Sequence, residues 1–209
     1  MRLFHWLFDL LKDPGPFIQW AGYPGLAAIV FLETGAMVFF LPGDSLLVVA
    51  GLFASRGDMS IFALNGLLIP LAIAGPVSSY WIGARLGREL FTRPRSRFFR
   101  PEHLVTAQAF YEKHGAKAVV IARFMPIVRT FVPVVAGIGR MNYARYTLYN
   151  VVGGAAWVLS MTLVGYFLGA QFPGLGKHIE KVIIVVVFLS LVPGIVGYLR
   201  ERRGGRAAA

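Results

Sequence analysis

The chain has 209 residues, 56% of them hydrophobic and 15% charged, against roughly 25% charged residues in an average soluble domain. That balance excludes an ordinary soluble protein and identifies a membrane protein. The net charge of +11 does not indicate nucleic acid, because the basic residues gather at the ends of apolar runs and no basic and aromatic binding module accompanies them. Cysteine is absent, which removes disulfides, thiol nucleophiles and cysteine metal sites together.

The N-terminal segment, residues 1–22, alternates Arg2, His5, Asp9 and Lys12 with Leu3, Phe4, Leu7, Leu10 and Leu11. This spacing predicts an interfacial amphipathic helix or a functionless leader. Its apolar stretch is short, carries charge and lacks a small-residue cleavage site, so a retained segment is expected.

Glu33 follows, and then "FFLPGDSLLVVAG", in which Pro42 removes a backbone donor and Gly43 permits a turn. Asp44 and Ser45 stand where they would cap the next helix. The stretch from Pro24 to Leu41 reads as too short and interrupted for a span, so helix, turn and helix form a re-entrant hairpin.

Charge-free runs from Met59 to Ala84, Tyr146 to Gly176 and Val182 to Leu199 are each near or above the roughly 18 residues that cross a bilayer. Three full spans are therefore predicted. Arg85, Arg88, Arg93, Arg95, Arg97 and Arg100, and then Arg200, Arg202, Arg203 and Arg206, put the segment after the first run and the C-terminal tail in the cytoplasm.

Between them, "VIARFMPIVRTFVPVVAGIG" sets Arg123 and Arg129 beside Pro126 and Pro133. Arg140 and Arg145 return this segment to the cytoplasmic face, making it a second hairpin that enters opposite the first. His5, His103, His114 and His178 lack metal-ligand spacing, and no Gly-rich phosphate loop or GxSxG elbow occurs. No enzyme and no cofactor are expected.

An internal repeat organises these pieces. "VVAGL" at 48–52 returns as "VVAGI" at 134–138, and "YWIGA" at 80–84 as "YFLGA" at 166–170, both 86 residues on. "GLAAIVFLE" at 25–33 matches "GAKAVVIAR" at 115–123 at an offset of 90, which sets Glu33 opposite Arg123. Tyr80, Gly83, Tyr166 and Gly169 become equivalent positions where small residues allow close helix packing.

The expected fold is an all-α polytopic membrane protein, an inverted repeat with two re-entrant helical hairpins and at least three full transmembrane helices. Its transport domain covers 23–176, with repeats at about 23–87 and 113–172. A C-terminal helix at 177–200 and a basic tail at 201–209 follow.

A charge at the bilayer centre costs roughly 2.5 to 3.5 kcal/mol on insertion scales, so Glu33, Asp44, Arg123 and Arg129 need partners or water. The four balance if the hairpin tips meet. That balance serves either a water-filled site or a structural ion-pair latch.

"FLETGAMVFFLPGDSLLVVAG" and "ARFMPIVRTFVPVVAGIGRM", with "YWIGARLG" and "GYFLGA" after them, resemble the DedA family of bacterial inner-membrane proteins, related to the eukaryotic VTT-domain lipid scramblases. The resemblance runs from about Tyr23 to Ala170. It implies a multi-pass inner-membrane protein that moves lipids between leaflets, for some members undecaprenyl phosphate. Its functional positions would be Glu33 and Asp44 in the first hairpin and Arg123 and Arg129 in the second. Where many members carry an acid before the tyrosine of the third motif, this chain has "AGPVSSYW".

Guanidinium groups suit phosphate oxygens, so Arg123 and Arg129 are the expected grip on a polyprenyl phosphate, with membrane lipids as partners and protons as a candidate coupling ion through Glu33 and Asp44. A general phospholipid scramblase, a proton-coupled antiporter of a small ion or drug, and a non-transporting scaffold remain the alternatives.

Overall fold

The computed structural model describes residues 15–35, 43–86, 101–125 and 128–172. Expectations for residues 1–14, Pro42, Pro126, the run Val182 to Leu199 and the basic tail lie outside the described residues.

The described residues are helical, with no strand among them. Helix α1 is Gly15–Gly35, α2 Gly43–Ser55, α3 Ile61–Leu86 and α4 Pro101–His114. A 3-10 turn, Gly115–Lys117, leads into the short α5, Ala118–Ile121, and a second 3-10 turn, Ala122–Phe124. Helices α6, Val128–Ile138, and α7, Tyr143–Gln171, complete the set.

Helices α1, α3 and α7 are long and apolar enough to cross a membrane. Their outer faces carry large apolar side chains, among them Trp20, Phe62, Leu148 and Phe167, as lipid requires. Helices α2 and α6, of 13 and 11 residues, fall short of the about 20 residues of a span. Apart from the polar residues of their first turns, Asp44 and Ser45 in α2 and Arg129 and Thr130 in α6, they are mainly apolar, and they are buried on nearly every side. Short helices at membrane depth are tolerable in such protein surroundings.

The first expected break is displaced. Residues 15–35 form one helix kinked at Gly22, whose φ of 53° lies in the left-handed region, and Pro24, two residues on, has no N–H to give to the turn before. The stretch read as a hairpin arm from Pro24 therefore continues an upstream helix, and α1 as a whole has the length of a span. Asp44 and Ser45 lie inside the first turn of α2, because that helix already begins at Gly43.

In the second segment Pro133 sits within continuous α6 and breaks nothing. The interruption falls earlier, at Met125, which is extended (φ −123°, ψ 108°) as the residue before a proline tends to be.

Two hydrophobic cores result. The first joins α1, α2, the first half of α3 and Trp157 and Val158 of α7; the second joins Tyr80 of α3, Tyr146 of α7, α5 and α6. Both cores thus share α3 and α7, and the middles of those two helices lie at the junction.

The tightest crossings pair α2 with α7 and α3 with α6. A Cβ at Gly83 would come within 2.1 Å of the Val134 carbonyl oxygen, and one at Gly137 within 2.1 Å of the Tyr80 carbonyl oxygen. A Cβ at Gly165 would meet the Val48 carbonyl oxygen at 1.9 Å, and one at Gly51 the Thr162 carbonyl oxygen at 2.0 Å. Gly169 rests on Ser55, and the Tyr166 backbone on Gly51.

Overpacking such contacts costs about 1 to 3 kcal/mol. Gly83→Ala should therefore lower the melting temperature of the detergent-purified protein. Gly66→Ala, with open space around it, should leave it unchanged or raise it, since alanine is better than glycine in a helix by about 1 kcal/mol.

Candidate functional site

Pro70 and Pro76 lie inside α3. Pro76 has no N–H to give to the carbonyl of Ala72, one turn earlier, so the middle of α3 presents acceptors to its neighbours. Arg123 donates through Nη2 to Ala72 O at 2.9 Å, Asn150 through Nδ2 to Ile73 O at 2.9 Å, and the Tyr146 hydroxyl to Pro76 O at 2.8 Å. Side chains from α7 and the turn before α6 thus supply donors to the carbonyls of a proline-interrupted helix.

Arg123 also donates to Asn150 Oδ1 at 2.5 Å. It is 4% exposed and runs over Gly153 and Gly154 of α7, where a Cβ would crowd its side chain at 3.3 and 3.4 Å. Among the described residues it contacts no carboxylate, so its charge is held by neutral acceptors. Of the four charges that balance if the hairpin tips meet, Arg123 makes no direct ion pair among the described residues: the Ala72 carbonyl and the Asn150 amide take its donors.

The other three do meet. Arg129, in the first turn of α6, donates through Nη2 to Glu33 Oε1 and through Nη1 to Asp44 Oδ1, the latter at 2.9 Å. Glu33 is buried near the end of α1, and its carboxyl lies directly on Gly43 at the start of α2. A Cβ at position 43 would fall 1.6 Å from Glu33 Oε2, which fixes why glycine is required there beyond any turn. Asp44 sits in the first turn of α2, where a negative charge is favoured by the helix dipole.

Trp157, absent from the sequence-based site, closes the group. Its Nε1–H donates to the same Asp44 Oδ1 at 2.8 Å, and the Arg129 guanidinium carbon lies 5.2 Å from its ring centre. Asn150 and Trp157 were both missed, although they signal themselves: Asn150 is a lone amide in a charge-free run, and "NVVGGAAW" sets Asn150, Gly153, Gly154 and Trp157 on one helical face.

In the third motif the serines of "AGPVSSYW" make structural bonds. Ser79 donates to Gly35 O at 3.3 Å and Ser78 to Gly75 O at 2.5 Å. Tyr80 is buried, donates to Met141 O at 2.5 Å and stacks on Tyr146. No group of three or more potential metal ligands occurs among the described residues.

The class is thus an all-helical, multi-pass membrane protein with a buried ion cluster where two short internal helices meet two long ones. The VTT domain matches residues 41–167, more than half of the chain, and the chain belongs to the DedA family. It is 43% identical over 206 residues to the protein DedA of Escherichia coli strain K12, covering 97% of this chain and 92% of that one. An uncharacterized membrane protein of Mycobacterium leprae is 38% identical over 198 residues (93% and 89% covered). The inner membrane protein YqjA of Escherichia coli strain K12 is 34% identical over 193 residues (92% and 87% covered). No solved structure gives a significant match. These relatives and the three apolar helices identify a multi-pass protein of the bacterial inner membrane.

Proposed function

We propose that the protein moves a lipid phosphate, a polyprenyl phosphate of the undecaprenyl phosphate type, between the leaflets of the inner membrane, without chemical change to the lipid. The observation that carries this reading is the pair of buried guanidiniums: Arg129 held by two carboxylates and Arg123 held, among the described residues, only by neutral acceptors. A buried cation without a carboxylate in contact is an anion site in waiting, and a guanidinium fork suits phosphate.

In the resting arrangement Glu33 and Asp44 occupy Arg129. A phosphate entering between the arginines takes their place while the lipid tail stays in hydrocarbon. Protonation of Glu33 or Asp44 is the step that would couple this exchange to a proton gradient.

The alternating-access frame is an inverted repeat in which α2 and α6 are the inner arms of two re-entrant hairpins. Its support is the correspondence of glycine crossings: Gly165 on Val48 answers Gly83 on Val134, and Gly51 on Thr162 and Tyr166 answers Gly137 on Tyr80 and Ala84. The short helices correspond at the 86-residue offset read from the sequence, whereas the long helices correspond at 82, one helical turn less. Helix α2 ends beside Gly169 near the end of α7, and α6 ends beside Tyr80 and Ala84 near the end of α3. The two arms therefore point to opposite ends of the molecule, as hairpins entering from opposite faces do.

The competing reading is a structural latch, favoured by the full pairing of Arg129. Reconstitution into liposomes containing a labelled polyprenyl phosphate separates the two. Transport predicts protein-dependent exchange of that label between leaflets and little exchange of a labelled phosphatidylethanolamine. Exchange of both lipids at equal rates would replace this reading with a general scramblase, and exchange of neither would leave the latch.

A further inference from the structure

We infer that Trp157 is a positioning residue for the partner exchange at Arg129: its indole N–H holds Asp44 in place when Arg129 turns from Asp44 to a phosphate. The inference rests on the phosphate reading above and assigns a role to a residue outside the four charges.

Asp44 Oδ1 has two donors, Arg129 Nη1 at 2.9 Å and Trp157 Nε1 at 2.8 Å. They come from different elements. Arg129 is carried by α6, next to the extended Met125, whereas Trp157 is 1% exposed in the middle of α7, locked into the first hydrophobic core. One donor belongs to a short helix bounded by a break, and the other to the longest of the described helices. When Arg129 leaves, the indole stays.

The consequence is electrostatic. A partly buried carboxylate that loses its partners is destabilising, and a hydrogen bond to a charged group is stronger than one between neutral groups. With Trp157, release of Arg129 takes Asp44 Oδ1 from two donors to one. Without the indole N–H it goes from one donor to none, so removing the N–H costs more in the phosphate-bound state than in the resting state. The ring contributes separately: its face lies beside the guanidinium, an attraction that does not depend on the N–H. The same face of α7 carries Asn150, which holds Arg123, so one helix supplies the fixed neutral partner on each side of the site.

Trp157→Phe keeps an aromatic face and deletes the donor. The probe is farnesyl phosphate, a short polyprenyl phosphate, with farnesol as the phosphate-free control, titrated against the detergent-purified full chain. The wild type should bind the phosphate and not the alcohol, and Trp157→Phe should raise the Kd about tenfold. In an Asp44→Asn background, where position 44 carries no charge for the indole N–H to hold, adding Trp157→Phe should change the Kd less than twofold. If the phenylalanine variant does not accumulate, benzothienylalanine at position 157, which replaces the N–H by sulfur and keeps the bicyclic shape, takes its place.

An unchanged Kd for Trp157→Phe, or the same loss in both backgrounds, would overturn the inference and leave the phosphate reading intact. A wild-type protein that binds farnesol as well as farnesyl phosphate, or neither, would remove the phosphate reading and this inference with it.

Discussion

Arg129→Lys should accumulate in the membrane at the wild-type level and lose polyprenyl-phosphate exchange by about a hundredfold. Lysine keeps the positive charge between Glu33 and Asp44, and its ammonium has three donors for the two carboxylate oxygens that Arg129 now satisfies. What it lacks is the planar fork that engages two phosphate oxygens at once. Each charge-assisted hydrogen bond is worth about 1.5 to 3 kcal/mol net, and loss of one of the pair in the transition state accounts for a factor of about a hundred. Arg123→Lys should behave likewise, because a lysine ammonium can still donate to Ala72 O and Asn150 Oδ1 and so keep the α3 interruption filled. The measurement is leaflet exchange in liposomes at matched protein density. Full exchange in both lysine variants would remove the phosphate grip and favour a general scramblase or an antiporter.

The site was half legible in the sequence. Glu33, Asp44 and Arg129 announced themselves as charges in apolar surroundings, and membrane burial demands counter-charges, so their meeting follows from composition alone. Arg123 belonged to the same argument and yet pairs otherwise. Its fate depends on Pro76, 47 residues earlier, which leaves the Ala72 carbonyl without its helical donor. Charge counting is blind to backbone acceptors. Asn150 and Trp157 escaped for a related reason: uncharged polar groups do not interrupt a hydropathy run, although each also needs a hydrogen-bond partner when buried.

The fold shows the same division. The long helices α3 and α7 follow from unbroken apolar runs, and α2 and α6 from the charges and prolines at their ends. The beginning of α1 did not follow, because the sequence reading counts the stretch from Pro24, and only the structure shows one helix running from Gly15 through a kink at Gly22, where φ is left-handed. The one-turn difference between the two offsets was equally invisible. Residue matching aligned "YWIGA" with "YFLGA", whereas close packing selects the glycine that faces the crossing, Gly165 for Gly83. A helix of repeated small residues has several such registers one turn apart, and three-dimensional contact chooses among them.

Removing charge one residue at a time and then all together should separate stability from transport at this cluster. Arg129→Met leaves Glu33 and Asp44 facing each other without a cation, Glu33 in full burial, and breaking such a pair costs about 3 to 5 kcal/mol. Against a total stability of about 5 to 15 kcal/mol, the variant should be degraded or fail to accumulate, and its lack of exchange alone would say nothing about mechanism. The triple variant Glu33→Gln, Asp44→Asn, Arg129→Met removes the charges without removing volume. The amide at position 44 still offers an oxygen to Trp157 Nε1, no member of this cluster is left as an unpaired ion, and Arg123 keeps its neutral acceptors. Neutral replacements of buried ion pairs are often as stable as the original, so membrane abundance and melting temperature should return to near wild-type values. Transport should not return, because no group remains at position 129 to exchange between carboxylate and phosphate. A triple variant that is both abundant and fully active in leaflet exchange would make the cluster dispensable, leaving the protein's activity to be sought elsewhere; one that is abundant and inactive ties the buried charges to movement of the lipid, since a latch alone would have been replaced.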